Sequence, residues 1–348
     1  MLVMMSSNQT PLFNHHKECG AKIVDFAGWK MPIQYTSILS EHKSVRENVG
    51  IFDVSHMGQI FVQGKDTVDF LSYVTTWDMK RQKKGDCRYC HILNKDGTII
   101  DDTIVYTLSD SDYMLVPNAS RVDKIYDWLL SNKSGFDVSL ENRSNDYFCL
   151  ALQGPEAPRL LGQHLNTTVG SFQLVIFGET IVSGTGYTGE RGCEIIGPLS
   201  EVIDHWEALV EMGAVPIGLG ARDTLRLEKG YLLSGQDFDG SQTTVETGYS
   251  WVIDWHHDFI GKASLLEIKK RNFSKLRGIL IDDRGIIRPG NSVFYQGEKV
   301  SSLTSGTLSP SIRKGIGMAY LDLNIGESVT VEVRGNHLNG RVVRMPFL

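Results

Sequence analysis

The sequence predicts an α+β protein: two α+β layers followed by a C-terminal all-β domain. Three observations carry this. In the N-terminal part, segments with strand-like alternation trade places with segments of helical spacing. From about Tyr147 the same pattern partly repeats, and from about Leu276 only short strands and turns remain.

Taken in order, Thr36-Ser37 precedes ILSEHKSVRENVG, where Ile38, Leu39, His42, Val45 and Val49 are helically spaced and Gly50 reads as a C-cap. IFDVSHMGQIFVQG then alternates like one strand, and KDTVDFLSYVTT reads as a helix. CRYCHILNKDGTIIDDTIVYTL reads as two strands around the turn Asn94-Lys95-Asp96-Gly97, since Asp-Gly is a hairpin signal. YMLVPNA is a further strand and SRVDKIYDWLLSNK an amphipathic helix. In the repeat, YFCLALQG is a strand, EAPRLLGQHL a helix, ETIVSGTGYTGERGCEIIG a pair of strands, and SEVIDHWEALVEMG a helix. RGIIRPGNSVFYQGEKVSSLTSGTLSP and VTVEVRGNHLNGRVVRMPF fit a small β domain.

The bulk numbers exclude several classes. The chain has 348 residues, 41% hydrophobic and 22% charged, with a formal charge of −6. That composition suits a globular chain with room for two or three domains. A mildly acidic chain without a basic block argues against nucleic acid as the main partner, while leaving room for a local basic pocket. No run of about 18 apolar residues occurs, so no membrane span is expected. The start MLVMMSSNQT lacks the charged opening of a secretory signal and the Arg-rich character of a transit peptide. Five scattered cysteines suit a reducing compartment, and the expected location is cytoplasmic.

Several motifs bear on chemistry. In GTIIDDTIVY, Asp101 and Asp102 interrupt a run that otherwise reads as a buried strand, where an unpartnered carboxylate is costly. Successive strand residues face opposite sides, so Asp102 shares a face with Ile100, Ile104 and Tyr106, and Asp101 faces away. GTGYTG, Gly184 to Gly189, satisfies G-x-G-x-x-G, but a strand follows it where a dinucleotide fold needs a helix. A tight turn exposing Tyr187 and aiming Glu194 from the next strand is the better reading. Cys87 and Cys90 form a C-x-x-C whose members point to opposite faces of a strand, which argues against chelation and redox pairing. Asp53, Ser55 and His56 invite a hydrolase reading, yet adjacent strand positions diverge and no G-x-S-x-G supplies a nucleophile. Arg222 and Arg226 share a helix face and could hold a carboxylate of the protein or of a ligand.

DFAGWKMPIQY, VGIFDVSHMGQI, GTIIDDTIVY, ALQGPEA, TGYTGERGCE, GLGARDTLRLEKG, DFIGKASLL and LTSGTLSPS occur in that order. Together they closely resemble the aminomethyltransferase, or T-protein, family of the glycine cleavage system, from about Thr10 to Leu348. The resemblance implies a three-domain cloverleaf around a central folate channel. It implies residues 1–52 with 140–240 as one α+β domain, 53–139 with 241–275 as a second, and 276–348 as a C-terminal β-barrel or jelly-roll-like domain. It implies transfer of the methylene carbon of the aminomethyl group on lipoyl H-protein to tetrahydrofolate, with release of ammonia and 5,10-methylenetetrahydrofolate. Tetrahydrofolate is then a co-substrate, no metal is involved, and the partners are H-protein and folate, with no nucleic acid and no membrane. By motif match Asp102 is the key carboxylate, set against the folate bridge nitrogen. Tyr89, Asn118, Tyr187 and Glu194 fall in the pterin pocket, Met57 lies against the folate, and Arg222 lies near the folate tail.

The chain departs from the family pattern at four places. Gly184 stands where an arginine is usual, Pro117 where an aliphatic residue is, Trp77 where asparagine is, and Thr244 where proline is. The alternative function is a folate-dependent demethylase of a small N-methyl or S-methyl compound. A non-catalytic folate-binding relative is disfavoured because EKGYLLSGQD lacks the cysteine of that class and Asp102 is present.

Overall fold

The computed structural model describes residues 8–348. Residues 1–7, on which the expectation about a leader partly rests, lie outside the described residues. The chain forms two compact units. One comprises the described chain through Leu71, then Met79–Tyr89 and Thr103–Arg222; the other comprises Ser72–Asp78, Cys90–Asp102 and Asp223–Leu348. The class is mixed helix and sheet, as expected, ending in an all-antiparallel β region. Among the described residues no helix is long and apolar enough to cross a membrane.

In the first unit a six-stranded sheet runs in the order Leu174–Phe177, Thr180–Ser183, Gly192–Pro198, Tyr147–Gln153, Gly50–Asp53, Val215–Pro216. Its centre is Tyr147–Gln153, whose seven residues are all buried. That is what an apolar run without alternation predicts. The helices Ala157–Leu165 and Val202–Glu211 cover it, and Leu150, Leu152, Leu160, Leu161, Ile195 and Trp206 share one core. Full burial of each such side chain is worth about 1.5–3 kcal/mol.

A five-stranded sheet has the order Cys87–Leu93, Ile99–Thr107, Asp112–Pro117, Ile60–Gln63, Ser139–Asn142. Its first two strands are the expected hairpin. The Asp96 carboxylate accepts from Thr98 N at 3.1 Å, and Gly97 N donates to Asn94 O at 3.0 Å with Gly97 at φ +85°. Both strands pass from one unit to the other along their length.

The second unit ends in a seven-stranded antiparallel sheet ordered Glu298–Ser302, Ser292–Tyr295, Ser328–Val333, Asn336–Val343, Lys275–Ile281, Lys314–Leu321, Ser305–Ser309. Ile279 pairs with Gly317 on one side and Val342 on the other, and Ile279, Ile281, Val293, Val331 and Val342 form its core.

Two local expectations are corrected. Gly50 does not cap the helix Ile38–Glu47; Asn48 occupies that position and Gly50 opens the next strand. A Cβ on Gly50 would lie 2.4 Å from Ile217 Cγ1, so close packing requires the glycine. The stretch from Ile51 to Gly64 is not one strand either. Gly50–Asp53 and Ile60–Gln63 lie in different sheets, separated by a turn through Ser55, His56 and Met57. The Asp53 carboxylate makes that turn by accepting Ser55 N at 2.9 Å, while Met57 N donates to Val54 O at 3.0 Å.

Candidate active site

The strands Thr180–Ser183 and Gly192–Pro198 are neighbours in the six-stranded sheet, and the GTGYTG loop connects them. It is a strand-to-strand turn, so the dinucleotide reading is out. Gln153 pins the loop from below: its Nε2 donates to Thr185 O at 3.1 Å, and its Oε1 accepts from Thr188 Oγ1 at 2.8 Å. Arg46 braces it from the helix Ile38–Glu47, donating to Thr188 O at 2.7 Å and to Glu190 at 2.8 Å. At Gly184 the backbone packs against Gly170, where a Cβ would lie 2.0 Å from the Gly170 carbonyl oxygen. The residue that departs from the family pattern therefore sits where this chain has room for a hydrogen only.

The loop and its second strand build an anionic centre in the first unit. Glu194 Oε2 accepts hydrogen bonds from Thr185 Oγ1 and, at 3.4 Å, from the Tyr106 hydroxyl. Ser183 and Thr185 hydroxyls lie 2.6 Å apart and complete the cluster. Glu194 Oε1 accepts none among the described residues, so half of the carboxylate is oriented and half is open. Burial, then the charge of Glu194, pushes the Tyr106 phenol well above its ordinary value, so it stays a donor. The same two causes push the Cys87 and Cys193 thiols up, and Cys149 likewise. All are free and protonated, which removes them as nucleophiles.

Opposite in charge is Arg222, on the helix Leu219–Glu228. Its guanidinium lies 4.6 Å from the Tyr187 ring centre, and its Nη1 is buried without a hydrogen-bond partner among the described residues. Burial pulls the guanidinium down from its ordinary value, while Tyr187 and then Glu194 pull it back. His56, in the turn beside Met57, is buried with Nδ1 equally unpartnered. Burial, then the positive charge of Arg222, lowers it to about 4, so it is a neutral imidazole near pH 7. The unit thus holds an open carboxylate oxygen, an aromatic face stacked on a cation, and, among its buried polar atoms without hydrogen-bond partners, Arg222 Nη1 and His56 Nδ1. Buried orphans of this kind call for a bound polar molecule or water.

The remaining expected residues fall as follows. Met57 is half-buried in its turn, and Gly58 N donates to Pro117 O at 3.0 Å, which sets that turn beside the Asn118 segment. Asn118 is half-buried ahead of the short helix Ala119–Arg121. Tyr89 is half-buried on Cys87–Leu93. Asp102 belongs to the second unit, 9% exposed on Ile99–Thr107. Asp101, on the opposite face, is fully buried and accepts a 2.7 Å hydrogen bond from Ser234 Oγ.

The two arginines of the helix part company. Arg226 is buried in the second unit, donating to Asp237 and Ser305 at 2.8 Å each and to Asp223 at 2.8 Å. Two residues on, Glu228 accepts from Ser309 Oγ at 2.5 Å and Ser311 Oγ at 3.0 Å. Within the second unit, Arg226 and Glu228 therefore tie the end of their helix to the LTSGTLSPS stretch, and Arg226 serves that tie. Asp53 is likewise structural: burial pushes its carboxyl up, but His16 at 2.8 Å, with Thr10 and Ser55, holds it below the usual range. Tyr106 and Thr185 escaped the sequence reading as site residues. Tyr106 carried one signal, its place on the Asp102 face.

Comparison with known proteins bears on this arrangement. The GCVT N-terminal domain model matches residues 12–257, and the glycine cleavage T-protein C-terminal barrel domain model matches residues 275–348. The chain is 41% identical to an aminomethyltransferase of Halothermothrix orenii over 98% of this chain and 99% of the relative. It is also 41% identical to that of Thermosipho melanesiensis, over 97% and 96%. The crystal structure of glycine cleavage system aminomethyltransferase T from Bartonella henselae superimposes with a TM-score of 0.94 at 32% identity, covering 99% of this chain and 98% of that one. These relatives do not favour the demethylase alternative. By sequence and by fold alike, the chain belongs to the aminomethyltransferase family, the T-proteins of the glycine cleavage system.

Proposed function

We propose that the protein performs the family reaction with the residues named above: it takes the aminomethyl carbon carried by lipoyl H-protein and joins it to tetrahydrofolate, releasing ammonia. The observation that carries the residue assignment is the pairing of a half-open Glu194 carboxylate with an unpartnered Arg222 nitrogen in one unit. Tetrahydrofolate fits those groups by chemistry. Its aminopyrimidine edge offers N–H donors to Glu194 Oε1, its ring a flat face to Tyr187, and its glutamyl end carboxylates to Arg222.

Each residue then has a defined task. Thr185 and Tyr106 fix the Glu194 rotamer, so that the acceptor is oriented before the pterin arrives. Tyr187 holds the guanidinium through its ring. Met57, Tyr89 and Asn118 line the pterin. Asp102, as the charged acceptor, orients the amine that attacks the methylene carbon and stabilises the positive charge that develops on it. The folate supplies the nucleophilic nitrogens; the protein supplies orientation and a fixed negative charge.

The test is reconstitution. Purified protein is mixed with aminomethyl-loaded lipoyl H-protein, with and without tetrahydrofolate, and ammonia is followed. Rapid folate-dependent release is expected. No release, with folate still bound in a parallel titration, would overturn the H-protein donor and leave a small methyl donor instead.

A further inference from the structure

The second unit carries a basic cleft that the aminomethyl reaction does not use. The cleft has a volume of about 660 Å³ and is lined by Lys269, Arg271, Lys275 and Arg277, with Phe273 between them and Asp322 as its single carboxylate. That volume falls within the range of small-molecule sites, about 300–1,000 Å³. Four cations against one anion is a local reversal in a chain whose formal charge is −6.

The fold converges these charges from two elements. Lys269 and Arg271 stand at the C-terminal end of the helix Lys262–Lys269. Lys275 and Arg277 alternate onto one face of the strand Lys275–Ile281, whose pairing of Lys275 with Leu321 brings the Asp322 loop alongside. A helix C-terminus attracts basic residues by its own dipole, and this accounts for Lys269. It does not account for two cations on the strand.

Ordinary pairing does not absorb them either. Lys270, which does not line the cleft, takes Glu267 at 2.7 Å. Among the described residues none of the four lining cations forms an ion pair. Lys269 lies 4.9 Å from the Trp255 ring and Lys275 5.4 Å from the Phe273 ring, while Arg271 feels Glu267 only through space. Arg277 is half-buried, and its Nε is removed from solvent with no hydrogen-bond partner. A buried guanidinium N–H without an acceptor is costly unless something supplies one.

We propose that this cleft binds a small polyanion carrying two or more phosphoryl or carboxylate groups. Arg277 takes one group in the depth of the cleft, Arg271 a second at its mouth, and the two lysines add charge from either side. Guanidinium forks match both oxyanion types, and lysine acts as a point charge, so the donor set selects charge spacing before it selects atom type.

Full-length protein is titrated calorimetrically at low ionic strength with inorganic tripolyphosphate and, separately, with pentaglutamate. Saturable one-to-one binding of at least one probe is expected, weakening as salt is raised. Binding of tripolyphosphate alone makes the ligand a phosphoryl compound, and pentaglutamate alone makes it a polycarboxylate. Both binding means that charge spacing is what the cleft reads. Arg277→Gln and the exposed Arg271→Gln should each weaken binding about tenfold, with the thermal midpoint of Arg271→Gln unchanged. Neither probe binding, or binding equally well to both variants, overturns the proposal.

Discussion

Arg222 holds its guanidinium 4.6 Å from the ring centre of Tyr187 while its Nη1 is buried without a partner. A cation held by a ring keeps its N–H groups free for a second, planar acceptor. Tyr187→Ala should therefore raise the KM for tetrahydrofolate about three- to thirtyfold, the equivalent of a cation–π contact of roughly 0.5–2 kcal/mol. Tyr187→Phe keeps the face and should stay within about twofold. Steady-state kinetics on both variants checks this, and an unchanged KM in Tyr187→Ala would refute it.

The two adjacent aspartates should fail differently. Asp102→Asn keeps shape and removes charge, so turnover should fall by about 100-fold or more while the folate Kd moves little. Single-turnover rates beside calorimetric affinities separate the two quantities; near-normal turnover would remove Asp102 from the chemistry.

Asp101→Ala should instead cost stability, because the fully buried carboxylate holds the Ser234 hydroxyl at 2.7 Å. A loss of about 1–3 kcal/mol in urea unfolding is expected, with the folate Kd unchanged. A variant as stable as the parent would show that the bond contributes nothing.

Gly184→Ala places a methyl group 2.0 Å from the Gly170 carbonyl oxygen. The expected result is destabilisation by about 1–3 kcal/mol, and Gly184→Arg should be worse. Thermal melts decide it. An arginine tolerated here without loss would mean that the Gly170 segment yields easily.

Two buried histidines set a pH dependence of stability. Burial lowers His91 to about 3, and burial with the Arg222 charge lowers His56 to about 4. In the unfolded chain both titrate in the ordinary range. Below about pH 6.5 the unfolded state takes up protons that the folded state refuses, so stability is complete above that pH and is lost as pH falls toward 4 and 3. Each histidine contributes up to about 1.4 kcal/mol per pH unit in its window. Urea unfolding at pH 7.5, 6 and 5 measures the slope, and His91→Gln should make it shallower. A flat profile would contradict both.

Helix and strand identities were legible wherever one periodicity ruled a segment. Thr67–Val74, Val122–Asn132 and Ala157–Leu165 are helices for that reason, and the Asn94–Gly97 turn followed from its Asp-Gly pair. The Ser55–Met57 turn was hidden because IFDVSHMGQIF keeps alternating through it. The bonds from Ser55 N to the Asp53 carboxylate and from Met57 N to Val54 O turn the chain there, and alternation reports neither. Arg222 and Arg226 were indistinguishable by spacing. What separates them is Asp237, eleven residues beyond Arg226 and 2.8 Å away in space. Thr185 and Tyr106 were missed because a hydroxyl or a phenol gains a role only from the carboxylate it meets, and Glu194 comes from another strand.

The chain passes between its two compact units five times, twice within the hairpin that carries Asp102. No single cut therefore separates the two units. A truncation that keeps one unit whole must sever segments of the other. Sequence drift has the same restriction: neither unit can be shed, swapped or duplicated as a contiguous cassette.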